Sequence, residues 1–191
     1  MDFKLVVAGI GGQGVIYAAK VLSQAALARG EHVIVSENHG MSQRGGSVLA
    51  HVKIGGSELP LIRHATADAL IALDRIEALR NLTFARSGGS VFINGHQPLE
   101  TMVLKRLNEL NINVYTLDAD ACAREFGTAA VMNLIMLGFA AAQADWHFTV
   151  NDLEDAVRVI GPVRAIDLNL RALARGYASS NLLDAIPHET V

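Results

Sequence analysis

The feature that most constrains the fold is a short apolar strand followed at once by a glycine-rich turn and a helix. Residues 5–8 are apolar and rich in valine, as in a buried strand, and residues 15–29 have helical spacing that stops at Gly30. Between them, residues 9–14 read Gly-Ile-Gly-Gly-Gln-Gly and satisfy the G-x-G-x-x-G pattern in the strand-to-helix context that it requires. A chain that begins in this way is expected to build a parallel sheet with crossover helices.

The glycine turn is a candidate anion site. Gly9 permits a tight turn, Gly11 permits a ligand phosphate to approach the backbone, and Gly14 permits the helix to pack closely. The helix N-terminus offers N–H groups and the positive end of a dipole to an anion. The alternative is that these glycines do no more than allow the turn. The candidate cofactor-binding residues of this segment are Gly9, Gly11, Gly12, Gln13 and Gly14.

A Walker A loop is excluded, because Val15 stands where that motif needs lysine. An NTPase is therefore not expected.

The rest of the chain alternates between strand-like and helix-like segments. The Gly55-Gly56 pair predicts a hairpin whose return strand spans residues 58–62. The pattern predicts an α/β, Rossmann-like fold with a mainly parallel sheet, helices on both faces, a hairpin insertion after the second strand and a helical C-terminal part. One domain is expected over residues 1–191. The predicted strands after the first are 33–36, 47–54, 69–73, 90–94 and 112–117, and the predicted helices before residue 127 are 15–29, 75–82 and 99–110.

Composition excludes several classes of protein. The chain is 51% hydrophobic and 18% charged, which is enough to fill a core and suggests apolar surface for a partner, although a large buried sheet would give the same composition. A net charge of −3 lacks the excess of positive charge that is typical of proteins that bind nucleic acid. A single cysteine, Cys122, cannot form a disulfide framework or hold an iron–sulfur cluster. No targeting segment is recognisable, so a cytoplasmic location and no membrane contact are expected.

The most apolar window, residues 129–144, is shorter than the roughly 20 apolar residues of a membrane span. It predicts a buried or interface helix. Asn133 and Gln143 within it are expected to hydrogen-bond, since buried amides need partners.

The loop that follows the second strand, residues 37–46, is the most unusual stretch. It reads Glu-Asn-His-Gly-Met-Ser-Gln-Arg-Gly-Gly and lies where open α/β sheets place their ligands, beyond the carboxyl end of a strand. Glu37 is a candidate ribose ligand, and Arg44 a candidate clamp for a phosphate or carboxylate. The alternative is a solvated surface loop. The candidate residues of this segment are Glu37, His39, Gln43, Arg44, Gly45 and Gly46.

No further chemistry-bearing motif was found. The histidines lack zinc-ligand spacing, no G-x-S-x-G nucleophile elbow exists, and the catalytic residues stay unassigned.

The glycine turn and the 37–46 loop, taken together and in this order, resemble the gamma-type domain of 2-oxoacid:ferredoxin oxidoreductases. The His-Gly-Met-Ser-Gln-Arg-Gly-Gly form of the loop is most similar to that of the indolepyruvate-type beta subunit. The resemblance continues in residues 133–138 and 169–172 and in Gly176-Tyr177, so it covers nearly the whole chain.

The resemblance implies one subunit of an enzyme that oxidatively decarboxylates an aryl pyruvate to an acyl-CoA and passes electrons to ferredoxin. Thiamine diphosphate, magnesium and [4Fe-4S] clusters are then expected on a larger partner subunit. This chain would help to enclose the active site and contact CoA through the turn glycines and Arg44. A homo-oligomer is a further expectation. The alternatives are a stand-alone NAD-binding dehydrogenase and a nucleotide-binding scaffold module.

Overall fold

The computed structural model describes residues 2–39, 45–56, 59–144 and 146–180, and for His39 the backbone alone. The turn predicted from the sequence joins the first strand to the first helix. Short 3-10 segments occupy residues 82–84, 129–131 and 163–165. The strands are β1 (Phe3–Ile10), β2 (Val33–His39), β3 (Ser47–Ile54), β4 (Ala67–Ala72), β5 (Ala85–Asn94) and β6 (Asn113–Leu117). The helices are α1 (Val15–Ala28), α2 (Arg75–Asn81), α3 (Thr101–Glu109), α4 (Ala119–Arg124), α5 (Met132–Ala141), α6 (Val150–Ile160) and α7 (Ile166–Ala178).

Within the described part of the chain, the strands form one sheet in the order β2-β3-β1-β4-β5-β6. β1, β4, β5 and β6 are parallel, and β3 is antiparallel to both of its neighbours, β1 and β2. β2 therefore runs in the same direction as β1 but is separated from it by β3. The predicted Rossmann-like, mainly parallel sheet is confirmed.

The return strand predicted over residues 58–62 is wrong in its described part, because residues 59–62 form no strand. β3 pairs with β1 along one edge and with β2 along the other, so neither edge is open to a further strand. The hairpin is formed by β2 and β3 instead.

Helices cover both faces of the sheet, as predicted. In β1 the side chains alternate: Leu5 and Val7 join the core beneath α1 and α4–α7, whereas Val6 and Ala8 join the core beneath α2 and α3. Burying each such valine or leucine contributes about 1.5–3 kcal/mol, so this double-sided strand is a large part of the core.

Polar side chains cap the N-termini of several helices. The Asp118 carboxylate accepts a hydrogen bond from the Ala121 amide at the start of α4, and the Asp74 carboxylate accepts from the Ile76 and Glu77 amides at the start of α2. Thr149 and Asp152 form a reciprocal capping box at α6.

The apolar window at residues 129–144 forms a 3-10 turn followed by α5, in which every residue from Met132 to Ala140 is buried. This confirms the predicted buried helix. None of the helices in the described ranges is long and apolar enough to cross a membrane.

α5 and α7 cross with their backbones in contact. A Cβ atom added to Gly138 would overlap the Leu173 carbonyl, and one added to Gly176 would overlap the Ile135 carbonyl. Gly138 of α5 faces the backbone of α7, and Gly176 of α7 faces the backbone of α5. No side chain separates the two helices at these positions.

We expect Gly176→Ala to lower the free energy of unfolding by about 1–3 kcal/mol, because an added methyl forces the two helices apart. Gly56→Ala is the matched control, since no atom lies within 4 Å of a Cβ placed there. It should change stability by less than about 0.5 kcal/mol. Urea unfolding of both variants measures the difference, and equal stabilities would contradict the close crossing.

Candidate functional site

The glycine turn is closed by its own residues. A Cβ atom on Gly9 would lie 2.8 Å from Cγ2 of Val15 and 2.9 Å from Oε1 of Gln13, so only glycine fits. Oε1 of Gln13 accepts a hydrogen bond of 2.7 Å from the Ile10 amide, and the Gln13 amide donates to the Ile10 carbonyl at 3.0 Å. Gln13 is therefore engaged in closing the turn.

Gly14 ends the turn in the left-handed conformation, with φ +82°, and starts α1. A Cβ there would overlap the side-chain amide of Asn133 on α5. Nδ2 of Asn133 donates a hydrogen bond of 3.0 Å to the Gly14 carbonyl, and Oδ1 accepts from the Leu134 amide at 2.8 Å. Asn133 thus finds the partner expected of it. Gln143, two residues after the end of α5, donates a hydrogen bond of 3.4 Å to the Phe139 carbonyl of that helix.

Gly11 brings the turn into contact with the loop that follows β2. Its N–H donates a hydrogen bond of 2.9 Å to the Gly46 carbonyl, and a Cβ on Gly11 would lie 3.5 Å from the Gly45 amide nitrogen. The two sequence motifs meet here, backbone against backbone. What approaches Gly11 closely is the chain itself, and its N–H already has an acceptor.

A cleft of about 430 Å³ opens at the first turn of α1. Gly12, with φ +102°, lies on its wall, and no atom lies within 4 Å of a Cβ placed there. The first turn of any α-helix has amides without intrahelical acceptors, and α1 has no acidic residue in that turn to neutralise them. Lys20, one turn further along α1, adds a positive charge to the same cleft. This arrangement suits an anion.

Tyr17 separates the cleft from α7. Its hydroxyl accepts a hydrogen bond of 3.2 Å from Nδ2 of Asn169. Burial raises the pKa of Tyr17 above its usual value of 10, an effect that the bond from Asn169 opposes. The phenol therefore keeps its proton at neutral pH and remains a hydrogen-bond donor at the cleft wall.

Residues 4–179 match the sequence profile of the family described as pyruvate ferredoxin/flavodoxin oxidoreductase. The chain belongs to this family. Among curated relatives, it is 32% identical to "Indolepyruvate oxidoreductase subunit IorB" of Archaeoglobus fulgidus, over 93% of this chain and 94% of the relative. The resemblance drawn from the two motifs is confirmed, and the chain is a subunit of a 2-oxoacid:ferredoxin oxidoreductase.

Two solved structures share the fold. The gamma subunit of a keto/oxoacid ferredoxin oxidoreductase from Geobacter sulfurreducens superposes with a TM-score of 0.74 at 22% identity, covering 94% of this chain and 99% of that one. The 2-oxoglutarate:ferredoxin oxidoreductase of Magnetococcus marinus, solved with 2-oxoglutarate, coenzyme A and succinyl-CoA bound, gives a TM-score of 0.76 at 19% identity. It covers all of this chain but only 33% of that longer one.

Two of the remaining predicted site residues of this family member, Glu37 and His39, lie near the carboxyl end of β2. Glu37 is on β2 opposite Ala50 of β3, and the His39 backbone pairs with Val48, a residue of the cleft wall. Gln43 and Arg44 lie outside the described residues. Of the turn glycines, the structure therefore brings Gly11 together with Gly45 and Gly46.

One buried carboxylate was missed by sequence reasoning. Oγ of Ser47, the first residue of β3, donates a hydrogen bond of 2.6 Å to Oε2 of Glu77 on α2. Nη1 of Arg80 donates to the other oxygen of that carboxylate at 2.6 Å, and Glu77 is only 2% exposed. The pair fixes the start of β3, directly after the 37–46 loop. No sequence signal links Ser47 to Glu77 across 30 positions.

The residues do not fit a metal or an iron–sulfur cluster. Over the described part of the chain, no group of three or more His, Cys, Asp or Glu side chains is arranged so that it could hold a metal ion. Cys122 is buried, and burial raises the pKa of its thiol, so it stays protonated and packs as a small apolar group.

We expect Gly14→Ala to be more destabilising than Gly12→Ala. Both positions have positive φ, which costs a residue with a side chain about 1–2 kcal/mol, but only at Gly14 does the new methyl overlap Asn133. Gly12→Ala is therefore a control for backbone strain alone, and the overlap should add about 1–3 kcal/mol. Chemical denaturation of the two variants tests this, and equal losses would show that Asn133 moves aside freely.

Proposed function

We propose that this chain is the small subunit of an indolepyruvate-type, aryl pyruvate:ferredoxin oxidoreductase, and that the cleft at α1 holds phosphate groups of CoA. Thiamine diphosphate, when bound by the larger subunit, supplies the electron sink for decarboxylation, and clusters there carry electrons to ferredoxin. This chain has neither the cysteines nor the acidic cluster for those groups in its described residues. Its own contribution is to bind and orient CoA and to cover the active site.

The observation that carries the CoA proposal is the unneutralised N-terminus of α1 beside Lys20 and the open wall at Gly12. A pyrophosphate placed there would meet free amides, the helix dipole and one ammonium group. The related enzyme solved with coenzyme A supports the same ligand class. Arg44 of the adjoining loop remains a proposed clamp on these phosphates.

The indolepyruvate assignment rests on the relative named for that activity and on the form of the 37–46 loop. An aryl side chain is therefore the proposed substrate class.

A stand-alone NAD-dependent dehydrogenase is disfavoured by the position of β3. An acid that binds the ribose should end the strand adjacent to β1. Here Glu37 is on β2, two strand spacings or about 10 Å from β1, because β3 lies between them.

In the assembled enzyme, Lys20→Met should raise KM for CoA about tenfold, because a charge-assisted bond to phosphate contributes about 1.5–3 kcal/mol. The matched control is Lys105→Met, which removes an equally exposed lysine from α3 on the other face of the sheet. Steady-state kinetics with CoA varied should show the rise in the first variant alone. An unchanged KM for CoA in a fully assembled Lys20→Met enzyme would contradict the proposed site.

The chain by itself should have no oxidoreductase activity. Aryl pyruvate- and CoA-dependent reduction of a viologen dye or of ferredoxin should appear only after the larger subunit is added. Turnover by the pure single chain would refute the proposal, as would a competent larger subunit that never associates with it.

A further inference from the structure

A cationic pocket lies at the end of the sheet opposite to the glycine turn. Lys4 near the start of β1 and Lys53 near the end of β3 are direct partners in the antiparallel register. Directly opposite residues on antiparallel strands project from the same face with Cβ atoms about 4.5–5.5 Å apart, and like charges in such a pair destabilise the sheet. Arg63, from the segment that precedes β4, lines the same pocket.

Lys53 is buried, with 7% of its surface exposed. Among the described residues, its ammonium donates a hydrogen bond of 2.6 Å to the Leu59 carbonyl, and an ammonium carries three donors. Burial lowers the pKa of Lys53, the charges of Lys4 and Arg63 lower it further, and Asp2 acts in the opposite direction. The lysine is thus held among charges of its own sign.

The pocket has a volume of about 320 Å³. Among the described residues of its wall, three carry positive charge and one, Asp2, carries negative charge. Oδ1 of Asp2 already accepts a hydrogen bond of 3.1 Å from the Gly56 amide. Thr66 also lines the wall, and its hydroxyl donates a hydrogen bond of 2.8 Å to the Arg63 carbonyl. An excess of two positive charges in a concave, partly buried site favours an anion.

We propose that the pocket formed by Lys4, Lys53 and Arg63 binds an oxyanion, either phosphate or carboxylate, at a site separate from the α1 cleft. Lysine and arginine donors that converge on one cavity are the chemistry that recognises such groups. The oxyanion comes from a free small molecule or from an acidic side chain of the larger subunit, and the two sources can be separated by experiment.

The first arm titrates inorganic phosphate into the full chain and measures the thermal midpoint and amide NMR shifts, because a ligand of the folded state raises stability by mass action. We expect saturable binding, with shifts at residues 4, 53 and 63. Lys53→Met should weaken the affinity for phosphate at least tenfold. Lys4→Met should do the same while leaving the Lys53–Leu59 hydrogen bond intact, so a loss in both variants is not a folding defect.

Lys20→Met is the control for phosphate at the α1 cleft and should retain the response at residues 4, 53 and 63. The second arm repeats the titration on the assembled enzyme. If the source is a free anion, the complex still binds phosphate there. If it is an acidic side chain of the larger subunit, the complex no longer responds and Lys4→Met weakens assembly.

The proposal is overturned if the isolated chain shows no saturable phosphate response at these residues, or if Lys4→Met and Lys53→Met both retain it. A change in KM for CoA is not expected in either variant. The outcome is therefore independent of the CoA proposal.

Discussion

The antiparallel pairing of β3 with β1 is the interaction on which both ends of the molecule depend. At the carboxyl end of β1, this pairing places Gly46 where its carbonyl accepts the Gly11 N–H, and Val48 in the wall of the cleft. At the other end it sets Lys4 against Lys53. The register fixes these contacts together, because a slip of one residue would turn every side chain of β3 to the opposite face.

The features that were predictable from the sequence are local ones. The strand, turn and helix at the N-terminus, the Asp118 cap and the buried helix within 129–144 each follow from residues a few positions apart. The return strand predicted over 58–62 was wrong because a glycine pair signals a turn but does not say which edges of the preceding strand are already occupied. That information depends on β1 and β2, which are distant in sequence.

The same limit applies to the candidate site. The glycine pattern predicted that a ligand phosphate approaches Gly11, but it could not predict the contacts within the chain. Gly14 packs against Asn133, which is 119 positions away, and Gly11 packs against the backbone of residues 45 and 46. Lys20 and Tyr17 carry no motif, so their place in the cleft follows only from the helix that begins at the turn. The buried Glu77 could not be predicted from the sequence for the same reason, since its partner Ser47 is on another element.

The glycine crossing of α5 and α7 has a consequence for how the cleft can respond to a ligand. These two helices touch the first turn of α1 at two points, Asn133 at the Gly14 carbonyl and Asn169 at the Tyr17 hydroxyl. At Gly138 and Gly176 the backbones are in direct contact, so no side chain at those two positions can change rotamer and let the helices slide. The close crossing therefore restricts changes in the distance between Asn133 and Asn169. A ligand that binds at the first turn of α1 therefore meets a preorganised site, and little of its binding free energy is lost to ordering the protein.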